Sequence, residues 1–272
     1  MSLFIASLNS GSNGNCYYIG NSREAILVDA GLSCRETERR MQACGLSMDL
    51  VRAVFISHEH TDHIKGLEVL SRRYQLPVYI TPATLQHSRL QLGLTCSFTA
   101  TAPVSIGGLQ VHAFGKAHDA ADPYSFLVTD GTLRIGVFTD IGQVCDPLRH
   151  HFSQCHAAFL EANYDRAMLD AGPYPYHLKR RISGGKGHLS NDQALQLFRS
   201  SRPEYMSHLF LSHLSRDNND PQLVYDLFCA EETGTEIVVA TRYESTGVFR
   251  IGMADSPAAT IVPAAEGQLS LF

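Results

Sequence analysis

Short apolar runs recur along most of the chain, separated by turns rich in glycine, serine and asparagine or by stretches of helical spacing. Residues 3–8, 17–19 and 25–28 read as strands, with a turn over residues 10–15 whose glycines and asparagines suit tight backbone. Helical spacing runs over 33–44 and 62–75, beside strands predicted at 53–56 and 78–80. Further strands are expected near 109–114, 124–129, 133–138, 157–160, 208–212, 236–240 and 247–250, with helices filling most gaps in the second half. Strand ribbons interrupted by helices, without a compositional break before residue 252 or an internal repeat, predict one α/β domain with mixed sheets over residues 1–252. Residues 253–267 are rich in alanine and proline, lack an amphipathic period and read as a flexible linker. After them stand Gln268, Leu269, Ser270, Leu271 and Phe272, an apolar pentapeptide that a flexible tail would present to a partner.

Composition narrows the class. At 272 residues, with 44% apolar and 18% charged positions, a wholly disordered or fibrous chain is excluded. The net charge of −5 argues against a purely electrostatic nucleic-acid binder and leaves room for a local basic groove. Seven cysteines are an odd number without a CxxC pair, which points to a reducing compartment and to buried, unreactive thiols. No basic residue precedes Arg23 and no run of about 18 apolar residues occurs, so neither a signal peptide nor a membrane span is expected, and the protein is placed in the cytoplasm. What composition adds is 13 histidines and no tryptophan.

The histidines concentrate chemistry. Ser57-His58-Glu59-His60-Thr61-Asp62-His63 follows the apolar strand 53–56 and offers five potential metal ligands in six positions. Divalent ions take imidazole nitrogen and carboxylate oxygen, and a strand-to-helix turn aims alternate residues at one side before the helix redirects the next pair. One loop cannot close two ligand shells, so further ligands are sought at strand ends. His118, Asp140 and His213 each meet that condition. A carboxylate such as Asp140 can bridge two ions, which together lower the pKa of bound solvent and supply a nucleophile without serine or cysteine.

Val28-Asp29-Ala30-Gly31, HxHxDH at 58–63, then His118, Asp140 and His213 resemble the ordered motif series of the metallo-β-lactamase superfamily, over roughly residues 1 to 250. The resemblance implies a four-layer αββα sandwich with two divalent ions, zinc or manganese, at the sheet edges. It implies that His58, His60 and His118 hold one ion and Asp62, His63 and His213 the other, with Asp140 bridging and Asp29 steadying the site. The segments 8–17, 172–175, 187–191 and 211–215 further resemble the YycJ/WalJ-like bacterial group, regarded as DNA exonucleases, here expected to run 5′ to 3′. Asn163-Tyr164-Asp165 departs from the Asn-His-Asp of many relatives, although Tyr164 retains a hydroxyl able to donate. Gly187-His188-Leu189-Ser190 is similar to a segment of tRNA 3′-processing endonucleases. It makes His188 a phosphate-facing acid beside Asp62 and Asp140 in the catalytic set, ahead of a helix opening at an Asn191 cap. Lys179, Arg180, Arg181 and Lys186 bracket that run as a local basic patch.

Gln268-Leu269-Ser270-Leu271-Phe272 resembles the pentapeptide with which bacterial replication and repair proteins bind the β sliding clamp, Leu271 and Phe272 filling an apolar pocket and Gln268 bonding at its rim. The expected activity is therefore a two-metal phosphodiesterase, a DNA exonuclease recruited by the clamp. The alternative is a small-molecule metallohydrolase acting on a thioester, lactone, lactam or cyclic phosphodiester with the same ligands.

Overall fold

The computed structural model describes residues 2–252, which build two seven-stranded sheets; the linker and pentapeptide expected at 253–272 lie outside the described residues. The strands are β1 (Ser2–Asn9), β2 (Cys16–Gly20), β3 (Ala25–Val28), β4 (Val51–Phe55), β5 (Val78–Tyr79), β6 (Thr95–Cys96), β7 (Val104–Ile106), β8 (Leu109–Gly115), β9 (Tyr124–Thr129), β10 (Arg134–Phe138), β11 (Ala157–Glu161), β12 (His208–Ser212), β13 (Glu236–Val239) and β14 (Phe249–Gly252). One sheet has the order β14-β1-β2-β3-β4-β5-β6, the other β13-β12-β11-β10-β9-β8-β7. In the first, β14, β1, β2 and β3 pair antiparallel and β3 to β6 parallel. In the second, β7 to β10 pair antiparallel and β10 to β13 parallel. The two halves thus follow one plan although the sequence carries no repeat.

The sheets pack through Leu3, Ile5, Tyr17, Ile19, Val28 and Phe55 on one side and Val111, Phe126, Val128, Ile135, Val137, Phe159 and Phe210 on the other. Phe55 is central: it stacks on Tyr79 at 4.5 Å and meets Phe126 of the opposite sheet edge-on at 5.7 Å. Such a ring buries enough apolar surface to contribute about 1.5–3 kcal/mol. The outer face of the first sheet lies under α1 (Cys34–Ala43), α2 (Thr61–Ile64), α3 (Leu67–Tyr74) and α4 (Pro82–Ser88). That of the second lies under α5 (Asp146–Phe152), α8 (Asn191–Ser201) and α9 (Pro221–Cys229), while α6 (Arg166–Ala171) and α7 (Tyr176–Ser183) stand before α8 in the chain. The result is the expected αββα sandwich. Because both faces of each sheet are covered, β3 and β11 are buried at every position, which is why β3 reads as an unbroken apolar run and β11 as one up to Glu161.

Several expectations need correction. The helix predicted over 62–75 is two helices, parted at Lys65-Gly66. Gly66 donates its N–H to Ala30 O, and a Cβ there would run into the Leu32 carbonyl, so close approach to the 30–32 loop outweighs helix continuity. β6 and β7 are edge strands of the two sheets and contain partly exposed positions, leaving a weak apolar signal. The cysteines are not uniformly buried: Cys16, Cys34 and Cys155 are, Cys229 is exposed, and Cys44, Cys96 and Cys145 lie between; all seven are free. No helix among the described residues is long and apolar enough to cross a membrane.

Candidate metal centre

Chain exits from β3, β4, β8, β10, β11 and β12 bring Asp29, the 57–63 loop, His118, Asp140, Glu161 and His213 together at one rim of the sandwich. Three of these residues, Asp29, Asp140 and His213, have left-handed backbone with φ of 61°, 55° and 57°. That conformation is uncommon for non-glycine residues, although Asp and His tolerate it better than most. It reverses the chain directly after a strand; at His213 the turn is held by the backbone N–H donating to Ser10 Oγ at 2.7 Å.

Hydrogen bonds fix which ring nitrogen faces inward. Asp29 accepts from Ser57 N at 2.8 Å, from Ser57 Oγ at 2.9 Å and from His63 Nδ1 at 2.7 Å. With its proton committed to Asp29, Ser57 Oγ accepts from His58 Nδ1 at 2.9 Å, and His118 Nδ1 donates to Gly187 O at 3.1 Å. These bonds leave the Nε2 lone pairs of His58 and His118 directed at His60 Nδ1, 3.0 and 3.3 Å away. His63 Nε2 stands 3.1 Å from Asp140 Oδ2, a buried oxygen without a hydrogen-bond partner among the described residues. Acceptors this close repel unless a proton or a cation lies between them. The donor set therefore fits divalent ions, in the groups His58/His60/His118, His58/His63/Asp140 and Asp62/His63/His213. His213 Nε2 is 3.5 Å from both Asp62 Oδ2 and Asp140 Oδ1.

The electrostatics divide this cluster. Burial holds His58 well below its ordinary value, reinforced by positive charge on His63 and Lys116. At His118, burial with Lys116 and His188 overrides Asp140 and lowers the group to about 4. Burial also acts on His63 and His213, but carboxylates outweigh it. Asp140 and Asp29 raise His63, and Asp140, Asp62 and Glu161 push His213 up to about 10. In the metal-free chain one set of rings is neutral and open to a cation, while the other holds protons that a cation must displace.

Sequence reasoning missed Glu161. It ends an otherwise apolar strand and is fully buried, and that placement is the signal that could have found it. Glu161 Oε1 accepts from His188 Nδ1 at 2.7 Å and from His213 Nδ1 at 3.1 Å, and Oε2 accepts from Ile141 N and Leu189 N. Burial would raise its carboxyl, but charge and hydrogen bonds from His188 and His213 bring it down to about 2. Asn15 was also missed; its Nδ2 lies 3.2 Å from Asp62 Oδ2 and 3.1 Å from His63 Nε2. Lys116, buried, donates to Thr139 O at 2.7 Å beside Asp140.

His188 joins the same cleft, about 340 Å³ in volume, with Ser12, His60, Asp62, Asp119, Arg181 and His213 on its walls. Its side chain is 22% exposed, and with Nδ1 on Glu161 the nitrogen left for a substrate is Nε2. The helix after it is capped by Ser190, in a capping box with Gln193, one residue before the expected Asn191. Tyr164 is buried and its hydroxyl has no partner among the described residues, so the expected hydrogen bond is not made. Of the basic run, Lys179 is turned away onto Asp170 O, while Arg181 lines the cleft.

This architecture has counterparts. The model of the family described as β-lactamase superfamily domain matches residues 24–213. Exodeoxyribonuclease YycJ of Bacillus anthracis is 36% identical over 228 residues, covering 82% of this chain and 86% of that protein. Exodeoxyribonuclease WalJ of Streptococcus pneumoniae serotype 2 is 32% identical over 227 residues, covering 80% and 84%. Among solved structures, the metallo-β-lactamase fold protein YhfI of Bacillus subtilis superposes with a TM-score of 0.72 over 92% of this chain and all of that one; at 16% identity this likeness concerns the fold.

Proposed function

Because the chain belongs to the β-lactamase superfamily and, within it, to the family of YycJ and WalJ, we propose that it is a metal-dependent DNA exonuclease working from 5′ to 3′ in replication or repair. His58, His60 and His118 would hold one divalent ion and Asp62, His63 and His213 a second, with Asp140 reaching both; zinc and manganese each suit the donor set. When bound, the ions supply Lewis acidity to the phosphoryl group and lower the pKa of solvent. The chain's own groups do the rest. Asp29, through Ser57 and His63, keeps the rings in one tautomer. His188, held through Nδ1 by Glu161 so that Nε2 faces the cleft, would pass a proton to the leaving oxygen, with Glu161 orienting the ring from behind.

The observation that carries this reading is the His188–Glu161 pair, an acid placed at the cleft beside Asp140 and coupled to His213. The names of the two relatives, both exodeoxyribonucleases matched over at least 80% of this chain, support DNA as substrate. The test is to incubate metal-reconstituted protein with single- and double-stranded DNA labelled at either end, with RNA and with a chromogenic lactam, using Asp140→Ala as control. Release of nucleotides from DNA 5′ ends is expected; activity confined to the lactam would overturn the nuclease reading. Recruitment is proposed through Gln268-Leu269-Ser270-Leu271-Phe272, supported by agreement at all five positions with the clamp-binding pattern. A tether of about 15 residues spans roughly 20 Å and would raise the local concentration of enzyme beside clamp-loaded DNA. Deleting 268–272 should abolish binding in a titration against the β clamp, and unchanged affinity would refute recruitment.

A further inference from the structure

Helix α7 buries none of its residues, so it adds little to the core, and its sequence is free to serve what it presents. Its C-terminal end is nevertheless tied to the catalytic groups. His188 N donates to Ile182 O at 2.8 Å, and Gly187 supplies the carbonyl that orients His118. A Cβ on Gly187 would collide with the carbonyl oxygens of Arg181 and Ile182, so this turn accepts only glycine without moving the helix. Arg181, 61% exposed, reaches from α7 to the cleft wall, where its Nε donates to Asp119 Oδ2 at 2.6 Å. Five residues earlier Tyr176 stands 75% exposed, with the Arg180 guanidinium 5.9 Å from its ring centre.

We propose that α7 is the arm that holds the unpaired strand leading into the cleft. This rests on the phosphodiesterase reading. Arg181 exchanges Asp119 for the phosphate next to the one being cut, and Tyr176 with Arg180 takes a base and phosphate further along. A guanidinium binds a phosphate through paired N–H donors, and an exposed tyrosine under an arginine offers a stacking face that tolerates any base. Tyr176 and Arg181 are five residues apart, an axial rise of about 7.5 Å, so a strand meeting both must follow the helix surface. A ring can stack on a base only where that base face is free, as in an unpaired strand, whereas the bases inside a duplex are stacked on one another. The occupant is therefore a single strand. The Arg181–Asp119 pair in its absence keeps the guanidinium aimed at the cleft.

The experiment compares kcat and KM of metal-loaded enzyme on single-stranded DNA of two, four and six nucleotides for wild type, Arg181→Ala, Tyr176→Ala and Tyr176→Phe. Wild type should gain efficiency with length. Arg181→Ala and Tyr176→Ala should lose most of that gain, through KM raised about tenfold on the hexanucleotide, and Tyr176→Phe should keep it. Binding of a phosphorothioate hexanucleotide, followed by fluorescence anisotropy against salt, should lose about 0.7 of log-log slope in Arg181→Ala. Melting temperature and metal content of each variant report folding. A wild type that cuts no DNA of any length removes the parent reading. A wild type that cuts DNA with no gain from length, or variants that retain the gain with an unaltered salt slope, would overturn the arm.

Discussion

Asp29 and Asp140 occupy equivalent points of the two halves of the sandwich. Each follows the strand, β3 or β10, that is antiparallel to one neighbour and parallel to the next, and each is buried with left-handed backbone. Their surroundings differ. Asp29 has both oxygens engaged, by Ser57 N, Ser57 Oγ and His63 Nδ1. Asp140 has Oδ2 without a hydrogen bond among the described residues, close to His63. One backbone device thus yields a strut in the first half and an open acceptor in the second, and what decides between them is the supply of donors nearby. A buried carboxylate left without donors is costly, and it persists where a cation or protonated ring completes it.

Replacing the two aspartates tests that contrast. Asp140→Asn should remove bound metal and reduce turnover by on the order of 10³-fold or more, as for groups acting at the reacting centre. Metal content by mass spectrometry alongside nuclease assay checks this, and retained metal would mean that Asp140 is not a ligand. His188→Ala should lower turnover by about 10²–10⁴-fold, the usual scale of acid catalysis, with metal content intact. Loss of metal in that variant would instead place His188 among the ligands. Asp29→Asn keeps an acceptor for Ser57 N but offers His63 a donor where an acceptor is needed. Metal affinity should fall about 10–100-fold and excess metal should restore activity. If affinity falls as completely as in Asp140→Asn, the distinction between strut and ligand fails.

The smallest effect is on pH dependence. His213 is raised from 6.5 to about 10, so its contribution to the metal-free chain is complete below 6.5 and is lost as pH rises toward 10. One proton gives at most about 1.4 kcal/mol per pH unit over that interval. The loaded chain has no such proton to lose, so stabilisation by metal should grow with pH between these values. Thermal melts with and without chelator between pH 6.5 and 9.5 would show diverging curves; parallel ones would contradict the raised value.

Much of this was legible in the chain itself. HxHxDH could be read because its ligands share one strand-turn-helix, where spacing along the sequence dictates direction in space. Strands buried on both faces announced themselves as apolar runs, and His118, Asp140 and His213 as polar residues at strand ends. Glu161 left only a faint mark, a carboxylate closing an apolar strand, because its meaning comes from His188 and His213, 27 and 52 positions away. Nor could the chain show that Ser57 and Gly187 choose the tautomers of His58 and His118, or that Lys179 turns away from the cleft while Arg181 faces it. Residue type and local spacing determined most strands and the candidate ligands. Only the packed structure decided which carboxylates are satisfied and which remain open, since a buried group's charge and hydrogen bonds depend on neighbours brought together by the fold.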